Sequence, residues 1–207
     1  MPADTAPDNS SFQPVVLMTR PTAASNRFLT ALRQRRVDFS ECVSPLFTIN
    51  MTEAPLNLRG ARGLIFTSPN GVAAFKVRGV ALDLPVYAVG PATALAARSV
   101  GLSVRITCAN SVELVAALSE QRPRWPLMHL TGEHTRGEIA EQLSARGIPT
   151  RRIAIYDQPA IPLSQEARQL MHGDAPVVVP VFSPRTAKLL AKAGGNAPLL
   201  VAAMSEA

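Results

Sequence analysis

The chain has 207 residues, a hydrophobic content of 47% and a formal net charge of +6. This length suits one large or two small globular domains. No apolar run is long enough to span a bilayer, and the N-terminal residues lack the layout of a signal peptide. A cytoplasmic protein without membrane contact is therefore predicted.

Arginine supplies most of the positive charge, since only three of the 21 basic residues are lysines. The guanidinium fork suits carboxylates and phosphates, which favours a polyanionic ligand, although genome composition explains the same bias equally well. A nucleic-acid partner is not predicted. Aromatic residues make up only 5% of the chain, and the arginines are scattered along it.

Strand-like and helix-like segments alternate along most of the chain. Residues 1–13 lack periodicity and are predicted to be a disordered tail. Strands alternating with helices imply parallel sheets, which bind ligands beyond the carboxyl ends of their strands. In chain order, strands are predicted at 15–19, 39–43, 63–66, 86–89, 104–107, 127–131, 152–156 and 177–182.

The strand at 63–66 is followed by Ser68 and a proline, a typical helix start. A helix N-terminus carries unpaired N–H donors and a partial positive charge, which suit a carboxylate or phosphate. The same start recurs at Ser183, 115 residues later, and residues 201–205 match 86–90 at the same spacing. Two similar units are predicted, unless the common use of Ser, Pro and Gly in βα turns explains the match.

Two extended connectors, the second bracketed by prolines, divide the chain into domains. They predict a domain 1 made of residues 14–43 plus 163–207 and a domain 2 at 52–150, with linkers at 44–51 and 151–162. Domain 1 is then discontinuous in sequence. If the two domains face one another, the Ser68 and Ser183 turns can line one cleft.

Nucleotide-binding motifs are not complete in this sequence. Residues 132–137 have the glycine spacing of a P-loop, but Glu138 and Ile139 stand where that motif needs lysine and a hydroxyl residue. No GxGxxG fingerprint occurs. Both Ser-Pro turns are also poor nucleophile elbows, because proline cannot donate an N–H to an oxyanion.

Metal sites are not predicted either. His129 and His134 do not have the spacing of a zinc protease, and they are better explained as one strand residue and one loop residue. Cys42 and Cys108 are isolated from each other and from histidine in sequence. They are predicted to be small core residues rather than disulfide or metal ligands.

Four stretches, taken in order, resemble the uroporphyrinogen-III synthase family. They are Leu64–Val72 (LIFTSPNGV), Val89–Ala94 (VGPATA), Ile155–Tyr156 and Phe182–Pro184. The resemblance covers nearly the whole chain from Val15, and it lies in the order and spacing of the motifs together.

The resemblance implies two similar parallel-sheet βα domains of flavodoxin-like type, the first discontinuous, joined by a two-stranded linker, with the active site in the cleft between them. The implied reaction cyclises hydroxymethylbilane with loss of water and inversion of the last pyrrole ring through a spiro intermediate. No cofactor or metal is implied. A monomer acting on this small molecule is expected, and the eight carboxylates of the substrate agree with helix N-termini and surplus arginine.

The family motifs also imply site residues. On sequence alone a lone tyrosine there is better explained as a half-buried aromatic whose hydroxyl reaches water, but the resemblance favours Tyr156 as catalytic. The residues implied to bind substrate are Thr67, Ser68, Thr93, Gly132, Arg136, Ser183 and Arg20.

The chain departs from the family pattern at its end. The family continues with a helix, a strand and a helix after the stretch that matches residues 201–207, so an incomplete domain 1 with an exposed sheet edge is expected. Two other functions stay open from sequence: a non-catalytic two-domain binding protein for an anionic metabolite, and a nucleic-acid partner module.

Overall fold

A computed structural model describes residues 13–53, 55–80, 82–134 and 138–203. The predicted tail, apart from Gln13, lies outside the described residues. In chain order the elements are β1 (Val15–Met18), α1 (Thr22–Arg33), β2 (Ser40–Val43), β3 (Asn50–Met51), β4 (Gly63–Phe66), α2 (Pro69–Val77), β5 (Val86–Val89), α3 (Pro91–Ser99), β6 (Val104–Cys108), α4 (Ser111–Gln121), β7 (Leu127–Gly132), α5 (Ile139–Ala145), β8 (Thr150–Asp157), α6 (Gln165–Met171), β9 (Val177–Val181), α7 (Pro184–Ala193) and β10 (Leu199–Ala203). The predicted α/β class with parallel βα units is confirmed.

The chain divides into two compact units. Unit 1 combines Met1–Thr48 with Ala160–Ala207, and unit 2 is Ile49–Pro159. The segment predicted as a second linker, 151–162, overlaps β8. Most of that strand pairs with β7 and is therefore part of the unit 2 sheet.

The sheet of unit 2 has the order β3-β8-β7-β4-β5-β6. Its five longer strands are parallel, and the short β3 pairs antiparallel with the end of β8. Because β8, β7, β4 and β5 are parallel neighbours, the turns that follow them lie along one edge of the sheet.

The sheet of unit 1 has the order β10-β9-β1-β2, and all its strands are parallel. Its pairing register repeats that of unit 2. Leu64 is opposite Val86 in unit 2, and Val179 is opposite Val201 in unit 1, so both partners are 115 residues further along. The internal repeat predicted from the Ser-Pro turns is confirmed at the level of strand pairing.

Both Ser-Pro turns cap helices as predicted. The Ser68 hydroxyl accepts a hydrogen bond from the Asn70 amide at 3.0 Å, at the start of α2. The Ser183 hydroxyl accepts one from the Thr186 amide at 3.2 Å, at the start of α7. The φ and ψ angles at the two serines are nearly identical, at −156° and 142° against −155° and 148°.

Alternating residues of the unit 2 strands form two cores. Leu64, Phe66 and Leu130 belong to one buried cluster, and Ile65 and Leu127 to another. This alternation is expected of a sheet covered on both faces, since neighbouring side chains point to opposite sides.

β10 is an edge strand of unit 1 within the described residues, and all five of its residues are exposed. Leu200 and Val201 are 62% and 55% exposed, which leaves an apolar surface beside β10. Residues 201–205 match 86–90 in sequence, whereas β10 begins two residues earlier, at Leu199. The structure also contains α6, which was not predicted from the sequence.

A histidine is buried in the middle of the unit 2 sheet. His129, on β7, is 1% exposed, and its Nε2 lies 3.5 Å from the Thr67 hydroxyl oxygen. Within the part of the chain that the structure describes, its Nδ1 has no hydrogen-bond partner. Burial, followed by the positive charge of Arg152, lowers the pKa of His129 to about 4, and Glu141 opposes this shift.

We expect His129 to make the protein acid-sensitive. Its folded-state pKa lies below the unfolded value, so the unfolded chain binds the proton more tightly. Stability is therefore lost as pH falls from about 6.5 towards 4, by up to about 3 kcal/mol. Denaturant unfolding of His129→Gln across this range should give a flatter pH dependence than the parent. His172→Gln, at an exposed histidine, should keep the parent dependence, and an equally steep His129→Gln profile would contradict the assignment.

Candidate active site

Four of the residues that sequence analysis singled out meet at one edge of unit 2. Thr67 and Ser68 follow β4, Gly132 ends β7, and Tyr156 lies near the end of β8. Strand pairing places Gly132 opposite Tyr156 and Phe66 opposite Leu130, so these turns are neighbours. The parallel topology therefore assembles this group.

Tyr156 packs directly on glycine. A Cβ atom added at Gly132 would lie 2.7 Å from two carbons of the Tyr156 ring, closer than real Cβ atoms approach. Gly71, in the first turn of α2, also faces this ring, with a Cβ position 3.8 Å from it. The ring occupies the space of the missing side chains, and Tyr156 is only 5% exposed.

The Tyr156 hydroxyl has polar partners despite its burial. It hydrogen-bonds with the Ser68 side chain and with the backbone of Gly132. Burial raises the pKa of Tyr156, and these two hydrogen bonds offset part of that rise. The phenol is therefore protonated at neutral pH and is held beside a helix N-terminus.

The next turn contains Gly90 and Thr93. Gly90, the N-cap residue of α3, has φ of +83°, a value that glycine adopts without strain. Thr93 is only 2% exposed, and its hydroxyl is 4.0 Å from the Cβ position of Gly90. At this turn the backbone lies nearer the surface than the threonine side chain.

The turn after β7 is attached to β8 by three hydrogen bonds. The Arg152 Nη2 group donates to the carbonyl oxygens of Gly132 and Glu133, at 2.9 and 2.6 Å. The Glu133 amide donates to the Tyr156 carbonyl oxygen at 2.9 Å. Arg136, implied as a substrate ligand, lies outside the described residues.

Unit 1 contains the other two residues implied to bind substrate. The Arg20 guanidinium lies 4.1 Å from the centre of the Phe182 ring, at the turn after β1. Burial, with a smaller effect of Arg27, lowers the pKa of Arg20 from its ordinary value. The hydroxyls of Ser183 and Thr186 share a hydrogen bond of 2.8 Å at the start of α7.

Two features of this region were not predicted from the sequence: the contact of Arg152 with the β7 turn and the buried position of His129. Only the register between β7 and β8 brings Arg152 to the turn, and a single sequence does not reveal that register. Among the described residues, no cluster of three His, Cys, Asp or Glu side chains could hold a metal ion. None of the helices within that same part of the chain is both long and apolar enough to cross a membrane.

One protein-family model covers most of the chain. The family model described as "Uroporphyrinogen-III synthase HemD" matches residues 38–206, which is most of the chain. Sequence comparison with curated proteins gave no match.

Two solved structures share the fold. Uroporphyrinogen-III synthetase from Helicobacter pylori is 13% identical, with a TM-score of 0.66, and the match covers 93% of this chain and 84% of that one. A mutant uroporphyrinogen III synthase from Thermus thermophilus is 16% identical, with a TM-score of 0.60 and coverages of 92% and 84%. With the family model matching most of its length, the chain belongs to the uroporphyrinogen-III synthase family, the cyclising lyases of tetrapyrrole and haem biosynthesis.

Proposed function

We propose that this chain converts hydroxymethylbilane to uroporphyrinogen III at the edge of unit 2 formed by the turns after β4, β5 and β7, with Tyr156 as the catalytic proton donor. The observation that carries this proposal is the Tyr156 hydroxyl, a buried phenol held by Ser68 and Gly132. It is the neutral donor that the first chemical step requires.

That step is the departure of the substrate's terminal hydroxyl group. A proton, or a hydrogen bond that strengthens as charge develops, must reach this oxygen so that it leaves as water. Tyr156 supplies the proton, and the hydrogen bonds from Ser68 and Gly132 stabilise the negative charge left on the phenol oxygen.

The methylene carbon left behind bonds to the substituted α carbon of the last pyrrole ring and forms the spiro intermediate. The bond from that ring carbon to its original methylene bridge then breaks, and the freed methylene bonds to the unsubstituted α carbon of the same ring, which inverts the ring. This carbon loses a proton, and the proton restores the phenol.

Substrate binding is proposed to use the same edge. Helix N-termini present N–H donors at Ser68 and in the first turn of α3, which contains Thr93, and such donors suit carboxylates. Thr67 and Gly132 flank these donors in unit 2. Arg20 and Ser183 offer the same chemistry in unit 1, and Arg136 would add a further cation for the substrate's carboxylates.

We also propose that the protein acts as a monomer in the cytoplasm, without a nucleic-acid partner or a membrane attachment. Low aromatic content and scattered arginines support the absence of nucleic acid. The reaction as proposed uses the protein's own side chains and needs no cofactor.

The direct test is a coupled assay with freshly generated hydroxymethylbilane, reading the ratio of isomer III to isomer I. Spontaneous cyclisation gives isomer I, so we expect added protein to give an excess of isomer III. An unchanged ratio from folded protein at saturating substrate would refute the activity and leave the binding-protein alternative.

Tyr156→Phe should slow the formation of isomer III by roughly ten to a thousandfold, because one proton donor is lost and water replaces it only in part. The ring and its packing against Gly132 remain, so melting should change little. The measurement is single-turnover formation of isomer III, with melting followed in parallel. A folded variant with the parent rate would exclude the catalytic role.

Two cap substitutions should separate stability from chemistry. Ser68→Ala and Ser164→Ala each remove an N-cap, since Ser164 accepts from the Ala167 amide at 3.1 Å, and each should cost about 1 kcal/mol of unfolding free energy. Of these two serines, only Ser68 contacts the Tyr156 hydroxyl. Turnover of Ser68→Ala should therefore fall by up to about tenfold, the value of one hydrogen bond. Ser164→Ala should retain the parent turnover, and equal rates in both variants would contradict the Ser68 role.

A further inference from the structure

One arginine closes the backbone of the β7 turn. A single terminal nitrogen of Arg152 donates to the carbonyl oxygens of Gly132 and Glu133, at 2.9 and 2.6 Å. The ion pairs formed by the described residues do not include Arg152. Its charge is therefore directed at two peptide carbonyls, and charge-assisted hydrogen bonds of this kind are the stronger ones in proteins.

The same short piece of backbone holds Tyr156 from its other side. The Glu133 amide donates to the Tyr156 carbonyl oxygen, and Gly132 lies against the ring. The backbone of Gly132 also hydrogen-bonds with the Tyr156 hydroxyl. The Gly132–Glu133 segment thus connects Arg152 to the backbone carbonyl of Tyr156 and to its hydroxyl group.

We infer that Arg152 is a positioning residue, which fixes the Gly132–Glu133 backbone and through it the Tyr156 ring in its reactive place. The inference rests on the proposed function, since it assumes that Tyr156 delivers the proton. Within the described part of the chain, the Arg152 side chain hydrogen-bonds to these two carbonyl oxygens and not to the Tyr156 hydroxyl. Its effect reaches the reaction through the β7 turn.

Rate should respond more strongly than stability or binding. Arg152 is exposed, so its removal takes little apolar area from the core. A misplacement of about 1 Å at a reacting group costs up to about a hundredfold in rate. We expect Arg152→Met to lower kcat about tenfold, within that range, and to change KM by less than about twofold.

The neighbouring arginine is a matched control. Arg151 also donates to a backbone carbonyl, that of Arg59 at 3.2 Å, and it does not contact the β7 turn. Arg151→Met removes the same charge from the same strand and should keep the parent kcat. Arg152→Lys should restore most of the lost rate, because one ammonium group has enough donors for both carbonyls.

A double-mutant cycle tests whether Arg152 acts through Tyr156. If it does, Arg152→Met should lower kcat in the parent but have almost no further effect in Tyr156→Phe. Parent kcat in Arg152→Met would overturn the inference, and so would the same tenfold loss in both backgrounds.

Amide hydrogen exchange at Glu133 provides a readout that needs no turnover. Its N–H bonds to the Tyr156 carbonyl, so we expect exchange to speed up at least tenfold in Arg152→Met and to stay unchanged in Arg151→Met. Unchanged exchange in Arg152→Met would overturn the positioning. If Tyr156→Phe retained the parent rate, the proposed catalytic role would fail by itself, and the exchange result would still decide whether Arg152 fixes the turn.

Discussion

The contact between the Tyr156 ring and Gly132 is the constraint on which the candidate site depends. Any side chain at position 132 would place its Cβ 2.7 Å from the ring, so the ring or the turn would have to move. This contact buries the phenol while leaving its hydroxyl among polar partners. Because burial opposes ionisation and raises the pKa of Tyr156, close packing also keeps the phenol neutral.

The internal repeat shows what distinguishes the two units. Pairing registers followed across both sheets place Val43 of unit 1 where unit 2 has Arg152. Unit 1 keeps the Ser183 cap but has a valine in place of this arginine, and the two tyrosines of the chain, Tyr87 and Tyr156, both belong to unit 2. The duplicated turns suit anion binding in both units, whereas the groups suited to proton transfer occur in unit 2.

Local sequence signals predicted much of the fold. Ser68 and Ser183 before proline specify helix starts through their own hydroxyls, and apolar runs such as 127–131 specify buried strands, so these elements were predicted correctly. The helix α6 was missed because it is short. Its cap, Ser164, forms a local hydrogen bond, but its burial depends on contacts made by the folded unit.

The site was less predictable because it depends on which strands are neighbours. Gly132 and Tyr156 are 24 residues apart in sequence, and only the pairing of β7 with β8 brings them together. No local sequence pattern indicates that the Tyr156 ring packs against Gly132, or that Arg152 hydrogen-bonds to the turn after β7. The family motifs indicated Tyr156 as a site residue, whereas the residues that contact it could be identified only from the structure.

An edge proposed to bind carboxylates must also keep its own acceptors away from them. Helix N-termini present N–H donors, but each strand-to-helix turn has carbonyl oxygens whose partial negative charge repels an anion. At the β7 turn, Arg152 occupies two such oxygens, those of Gly132 and Glu133. Arg152 thereby fixes these acceptors within the turn. Because its side chain is exposed, water screens its charge, so its effect is on the position of the turn rather than on substrate binding.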